Sequence, residues 1–230
     1  MAANSQSTVA AILVAAGSGE RLGADVPKAF VEIAGQSLAE HAVRRFGGHS
    51  AIGPIRLVVP LGWERTAADQ LWPLANDLTV VHGGATRQAS VAAGLAAVPR
   101  DVAFVLVHDV ARPFVTDTVI DAVVSALVAG ADAVVPVVPI HDTVRRVGRD
   151  GMLAGVVDRS TLVAVQTPQG FRRDVLIAAH ADASDAVTDD AALAEALGHQ
   201  IVAVPGAESA FKITTPADLA RAESLSGGMP

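Results

Sequence analysis

The chain has 230 residues, long enough for one large α/β domain with a proper core and short for two independent ones. Hydrophobic residues make up 51% and aromatics 3%, so the core must be built from small aliphatic side chains, as in parallel sheets buried on both faces. The absence of cysteine excludes disulfides, thiolate metal sites and a cysteine nucleophile. A formal net charge of -7 argues against a general basic face for nucleic acid, so an anionic ligand requires a local cluster of cations. No uninterrupted apolar run is long enough to span a membrane. Residues 1–8 lack the charged start and apolar run of a signal peptide and read as a loose tail, which makes the cytoplasm the expected compartment.

Short apolar runs alternate with longer amphipathic stretches. Val9–Ala16 reads as a buried strand, Leu38–Phe46 as a helix, Ile55–Pro60 as a strand and Trp63–Leu74 as a helix. Leu78–His82 is a third strand, Thr86–Val98 a helix, Val102–His108 a fourth strand, Thr116–Ala129 a helix and Ala131–Val138 a fifth strand. The rhythm predicts a Rossmann-like, mostly parallel sheet with helices on both faces, within a single domain over 9–225. It breaks over Ile140–Val165, where short β-like pieces, Gly151 and Gly155 and several charges predict a protruding β-arm. Helices follow near Arg173–Ala183 and over Asp189–Leu197, then a strand over Gln200–Pro205 and a last helix over Pro216–Leu225. Residues 226–230 read as a C-terminal tail.

The strongest local signal is Ala15–Lys28, AAGSGERLGADVPK. Glycines after a first strand let backbone N–H groups approach phosphate oxygens, and Arg21 and Lys28 add charge beside them. A dinucleotide-binding turn would want glycine where Leu22 stands, and a Walker loop would continue Gly-Lys-Ser/Thr. The alternative is a tight strand-to-helix turn with no ligand. In HGGATRQASV, Gly83 and Gly84 end the third strand, and Ser90 either faces a ligand or satisfies nearby backbone. Asp109, after a fully apolar strand, would be costly if buried unpaired. It is read as contacting a metal or a substrate hydroxyl, pairing with Arg112, or capping the helix that begins near Thr116. The seven histidines show no metal-ligand spacing and are read as non-functional.

These segments, together with PKAF, DTVRR, VDRSTL, QTPQGF, VTDDAALAEALG and FKITTPADLA, stand in the order and spacing of a known group. The chain resembles the nucleotidyltransferases with a Rossmann-like sheet, and more narrowly the 2-C-methyl-D-erythritol 4-phosphate cytidylyltransferase family, from about Val9 to Ala222. The resemblance implies CMP transfer from CTP to that polyol phosphate in isoprenoid biosynthesis, with Mg²⁺ or another divalent cation as cofactor. It implies catalytic roles for Arg21 and Lys28, and nucleotide binding by Ala15, Ala16, Gly17, Ser18, Gly19, Gly83, Gly84, Arg87, Ser90 and Arg112. Asp109, Thr143, Arg159, Thr167, Thr188 and Lys212 would position the polyol phosphate, Asp109 doubling as a candidate metal ligand. The family often carries acidic residues where this chain has His82 and Ala85, so a backbone contact must hold the base here. The arm, which also carries Arg145, Arg146 and Asp158, would cross to a partner subunit, making a homodimer with shared active sites. The alternatives are a ribitol 5-phosphate cytidylyltransferase, a non-catalytic nucleotide-binding domain and, disfavoured by Leu22, an NAD-linked dehydrogenase.

Overall fold

The computed structural model describes residues 9–17, 19, 22–23, 25–181 and 189–227. Among these residues, twelve strands are β1 (Val9–Val14), β2 (Glu32–Ile33), β3 (Gln36–Ser37), β4 (Ile52–Val59), β5 (Leu78–His82), β6 (Phe104–Asp109), β7 (Ala133–Pro139), β8 (Val144–Val147), β9 (Leu153–Val157), β10 (Val163–Val165), β11 (Gln169–Arg172) and β12 (Ile201–Pro205). The same residues hold seven α-helices, α1 (Leu38–Gly47), α2 (Glu64–Leu71), α3 (Arg87–Ala96), α4 (Asp117–Val128), α5 (Arg173–Ala181), α6 (Asp190–Ala196) and α7 (Pro216–Ser226). The sequence-predicted alternation is thus recovered, with ends displaced by a few residues; the far end of the predicted helix to Ala183 lies outside the described residues.

Among the described residues, the main sheet has eight strands. β1 lies at its centre, parallel to β4 on one side and to β6 on the other, and β5 extends the β4 edge. β11 runs antiparallel between β6 and β7, and β12 pairs parallel with β7. Val137 pairs with both Val165 and Pro205, so β10 lies on the edge of β7 opposite β12, in line with β11. Two pieces of this sheet, β10 and β11, are absent from the sequence-predicted elements. Val163–Val165, assigned from sequence to the arm, belongs to the main sheet.

Alternation along β1 explains the layers. Val9, Ala11 and Leu13 face one cluster, with residues of α1, α2 and α4; Ala10 and Ile12 face the other, with residues of α3, α5 and α6. Each fully buried Val, Leu or Ile side chain contributes about 1.5–3 kcal/mol. A third cluster of Leu22, Ile33, Leu38, Ile213 and Ala222 docks α7 beside the first loop. The arm is a separate two-stranded hairpin of β8 and β9, closed by Gly148 N donating to Met152 O at 2.9 Å. Val147, Met152, Leu153 and Val156 on it are exposed. Among the described residues, no helix is long and apolar enough to cross a membrane.

Candidate active site

The chain runs from β1 outward to β4 and β5, then returns to place β6 on the other side of β1. Open α/β sheets hold their ligands at such a reversal, outside the carboxyl ends of the strands. Val14 and Asp109, the last residues of β1 and β6, pair side by side there. A cavity of about 400 Å³ opens at this point, lined by 14–17, 84–87, Ser90 and 109–111, with Lys28, Ala29 and Lys212 on its walls. Among the described residues, three of the lining side chains are cations (Lys28, Arg87 and Lys212) against one carboxylate, Asp109.

Close approach explains the glycines. Gly19 has φ +72°, and a Cβ there would lie 2.5 Å from Lys28 Cβ, so glycine lets the Lys28 stem pack against the loop. At Gly83, which ends the third strand turn, a Cβ would lie 2.5 Å from Ala16 Cβ and 2.7 Å from Ser90 Oγ. The β1 loop and the start of α3 are thereby drawn together. Thr86 caps α3, accepting from Ala89 N at 3.0 Å, and the positive end of the helix lines the cavity. The buried Ser90 hydroxyl accepts from Gly84 N at 3.2 Å and donates to Thr86 O at 2.9 Å. Ser90 therefore shapes the loop from within, as the backbone-satisfying reading anticipated. Lys28 sits near Asp218, whose carboxyl is held below its ordinary range by the Thr215 backbone N–H first and also by the Lys28 charge.

Asp109 is 8% exposed and doubly paired. Its Oδ1 accepts from Arg87 Nε at 3.1 Å and its Oδ2 from Lys212 Nζ at 2.6 Å. Burial opposes its ionisation, but the Arg87 and Lys212 charges outweigh burial and hold the carboxyl far below the usual range. Arg87 continues to Asp190 at 2.7 Å, and Asp190 to His180 at 2.9 Å. Burial lowers the basicity of Arg87, yet Asp109 and Asp190 more than offset it. Two sequence expectations for Asp109 are corrected here. Its partners are Arg87 and Lys212; Arg112 instead donates to the carbonyls of Ala210 and Val165, at 2.8 and 3.2 Å. The helix near Thr116 is capped by Thr116 itself.

Thr167 is buried beside this pair. Its Oγ1 accepts from Asp109 N at 3.1 Å and shares a hydrogen bond of 3.1 Å with His108 Nδ1. Burial pushes the His108 pKa down to about 4, so the ring is neutral near pH 7; it packs tilted against Phe46, with ring centroids 4.8 Å apart. Sequence reading passed over His108, which has no spacing signal. A smaller pocket of about 200 Å³ shares Arg87, Asp109 and Lys212 with the first cavity and adds Arg112, Thr167, Gln169 and Asp189. Gln169 Nε2 donates to Asp189 Oδ2 at 2.7 Å. Thr143 and Arg159 are exposed at the base of the arm and do not line either cavity; Arg159 donates to His141 O. Arg21, Ser18 and Thr188 lie outside the described residues.

Comparison with known proteins agrees with this geometry. A family model described as 2-C-methyl-D-erythritol 4-phosphate cytidylyltransferase (IspD) matches residues 9–227. A Frankia casuarinae protein of that name is 47% identical over 217 residues, covering 94% of this chain and 80% of the relative. Among solved structures, an Anaerococcus prevotii 4-diphosphocytidyl-2C-methyl-D-erythritol synthase superposes with a TM-score of 0.85 at 28% identity, over 96% of this chain and 99% of that one. A Thermus thermophilus 2-C-methyl-D-erythritol 4-phosphate cytidylyltransferase gives a TM-score of 0.79 at 37% identity, over 94% and 98%. With a strand-reversal cavity, a glycine loop packed on Lys28 and a family match along nearly its whole length, the chain belongs to the 2-C-methyl-D-erythritol 4-phosphate cytidylyltransferase family.

Proposed function

We propose that the protein transfers CMP from CTP to 2-C-methyl-D-erythritol 4-phosphate, giving 4-diphosphocytidyl-2-C-methyl-D-erythritol and pyrophosphate for isoprenoid precursor synthesis. The observation that carries this reading is the cation-lined cavity at the β1/β6 reversal, in a chain that the family model matches over 9–227. Residues 9–225 act as one nucleotidyltransferase domain bearing the arm, and the compartment we assign is the cytoplasm, where CTP is available.

The reaction joins two polyanions, so alignment and positive charge do most of the work. A phosphate oxygen of the polyol phosphate attacks the α-phosphorus of CTP; the bond to the β-phosphate oxygen breaks, and its electron pair leaves with pyrophosphate. The attacking phosphate is already ionised near neutral pH, so no general base is needed. Backbone N–H groups of the 15–19 loop receive the triphosphate. Lys28 and Arg21 stabilise the charge that develops at the α-phosphorus and on the leaving group. The 83–90 loop holds cytosine through backbone groups. Ser90 fixes its shape, which supports backbone readout where His82 and Ala85 stand. Lys212, Thr167 and Asp109 face the polyol phosphate, with Thr188 assigned to the same substrate.

Among the described residues, Asp109 is the one carboxylate lining the cavity, and each of its oxygens accepts from a cation. A divalent ion that arrives on the triphosphate would find Asp109 as its candidate protein carboxylate, without needing a cage of protein ligands. Mg²⁺ in that place would supply charge neutralisation across the triphosphate.

Thr143 and Arg159 serve a neighbouring subunit's site in a homodimer. The exposed Val147, Met152, Leu153 and Val156 on one hairpin support this, because apolar side chains gathered on a projecting arm mark an association surface. Arg suits the phosphate it would meet, through its planar fork. Purified protein is incubated with CTP or UTP and with each candidate polyol phosphate, and pyrophosphate is measured. Release with CTP and the methylerythritol phosphate is expected; preferential release with ribitol 5-phosphate, equal use of UTP, or CTP binding with no release overturns the assignment.

A further inference from the structure

Lys212 is borne on a loop, 206–212, that crosses the carboxyl end of β7 and must be held still for its ammonium to meet a phosphate. One side chain that holds this loop is Gln166, which sits between β10 and β11 and is 3% exposed. The Gln166 amide grips Ala207 from both sides, Nε2 donating to Ala207 O at 2.9 Å and Oε1 accepting from Ala207 N at 3.0 Å. The backbone around it is fastened to β7, Gln166 N to Pro136 O and Gly206 N to Val137 O, both at 2.8 Å. A Cβ on Gly206 would run into the Gln166 amide oxygen, so a glycine is what lets the clamp close. Beyond the clamp, Ala210 N returns to Ala207 O at 2.9 Å, Arg112 donates to Ala210 O, and Ile213 N donates to Ala111 O at 2.8 Å. Lys212 therefore hangs between two fixed points, one made by Gln166 and one by the segment that follows β6.

We propose that Gln166 is a positioning residue for the transfer reaction: by clamping Ala207 it sets where Lys212 meets the incoming polyol phosphate and ties that position to the root of the arm. The proposal rests on Lys212 being the phosphate-binding cation. Gln166 lines the smaller pocket beside Thr167 and Lys212, but both ends of its amide are engaged by Ala207, so its part is to place Lys212.

The clamp has two halves of opposite polarity, which gives a readout that a merely structural residue would not. In Gln166→Leu both hydrogen bonds are lost at similar volume. KM for the polyol phosphate rises on the order of 10-fold, as for a cation displaced by a fraction of an ångström, while KM for CTP stays at the wild-type value. In Gln166→Glu the ionised carboxylate still accepts from Ala207 N but faces Ala207 O without a proton to donate. The same KM defect appears at neutral pH and recedes, relative to wild type, as acidification protonates the introduced carboxyl. Lys212→Ala and the Lys212→Ala/Gln166→Leu double variant complete the set. If Lys212→Ala leaves the polyol phosphate KM unchanged, the reading of Lys212 fails, and the proposal with it. If Lys212→Ala raises that KM but Gln166→Leu and Gln166→Glu leave it alone, or shift both KM values together, the clamp is refuted on its own account. Support requires the selective defect and its disappearance in the double variant, where Gln166→Leu adds nothing to Lys212→Ala. If Gln166→Leu does not fold, the pH-dependent defect of Gln166→Glu decides.

Discussion

Gly83→Ala places one methyl group at the tightest point between the two walls of the cavity. Its Cβ would begin 2.5 Å from Ala16 Cβ and 2.7 Å from Ser90 Oγ, where ordinary contact starts at 3.4 Å. Neither neighbour is the far end of a flexible side chain. Ala16 has nothing to rotate, and the Ser90 hydroxyl is held by Gly84 N and Thr86 O. The walls must therefore part by about 1 Å, at a cost of about 1–3 kcal/mol for overpacking. For a chain of this size that lowers Tm by about 2–4 °C per kcal/mol. The same displacement moves the loop after β1 away from the loop that leads into α3, and a misplacement of about 1 Å costs on the order of 100-fold in rate. Pyrophosphate release at varied CTP should show kcat/KM for CTP down by that order. Gly83→Ala/Ala16→Gly, which removes one of the two clashes, should recover part of it. A Gly83→Ala enzyme with wild-type kcat/KM would refute the view that this contact sets the spacing of the cavity walls.

Other expectations are equally open to measurement. Lys28→Ala should lower kcat on the order of 100-fold while changing the CTP dissociation constant little, because its charge is needed most as charge develops at phosphorus; weaker CTP binding at unchanged kcat would move Lys28 out of that role. Asp109 is held below its ordinary pKa, so its ionised form stabilises the fold above the usual carboxylate range, and the contribution is lost as pH falls through the lower folded-state value. Urea titrations should therefore show the stability gap between wild type and Asp109→Asn shrinking below about pH 4; a gap constant from pH 7 to 3 contradicts the ion pairs. Lys28→Ala and Arg159→Ala proteins, each nearly inactive, should regain about a quarter of wild-type activity when unfolded and refolded together in equal amounts, as two-fold symmetry with shared sites requires. No recovery, with refolded wild type active and mixed dimers shown to form, would place Arg159 in its own subunit's site.

The elements most legible in the sequence are those whose signal is local. Leu78–His82 is a strand to the residue, and Asp117–Val128 falls within the predicted helix, because apolar periodicity and a Thr cap mark them. β11 is invisible to the same reading. Gln169–Arg172 is four residues with glutamine, glycine and arginine, and it is a strand because β6 and β7 leave a slot whose backbone groups it satisfies. The glycine loop, Lys28 and Asp109 stand out as residues, but the partners of Asp109 do not. Lys212 is 103 residues away, and Arg87 is in turn 103 residues from Asp190, so charge pairing at that distance leaves no pattern along the chain. Exchange of Arg112 for Arg87 and Lys212 as the partners of Asp109 follows from that; Arg112 is merely the nearest cation in sequence.

The slot filled by β11 also bears on the order in which the molecule is made. A chain emerging amino end first has completed β1, β4, β5, β6 and β7 before the strand that separates β6 from β7 exists. Premature pairing of β6 with β7 would shut that slot, and escape from it would require undoing long-range contacts, the slow kind to remake. The glycine loop after β1 and the start of α3 both precede the slot, whereas Thr167, Gln166 and Lys212 lie at or beyond it. During synthesis the half of the cavity made by that loop and α3 is therefore written first. The half that carries Lys212 is added only when the sheet is closed from its carboxyl-terminal side.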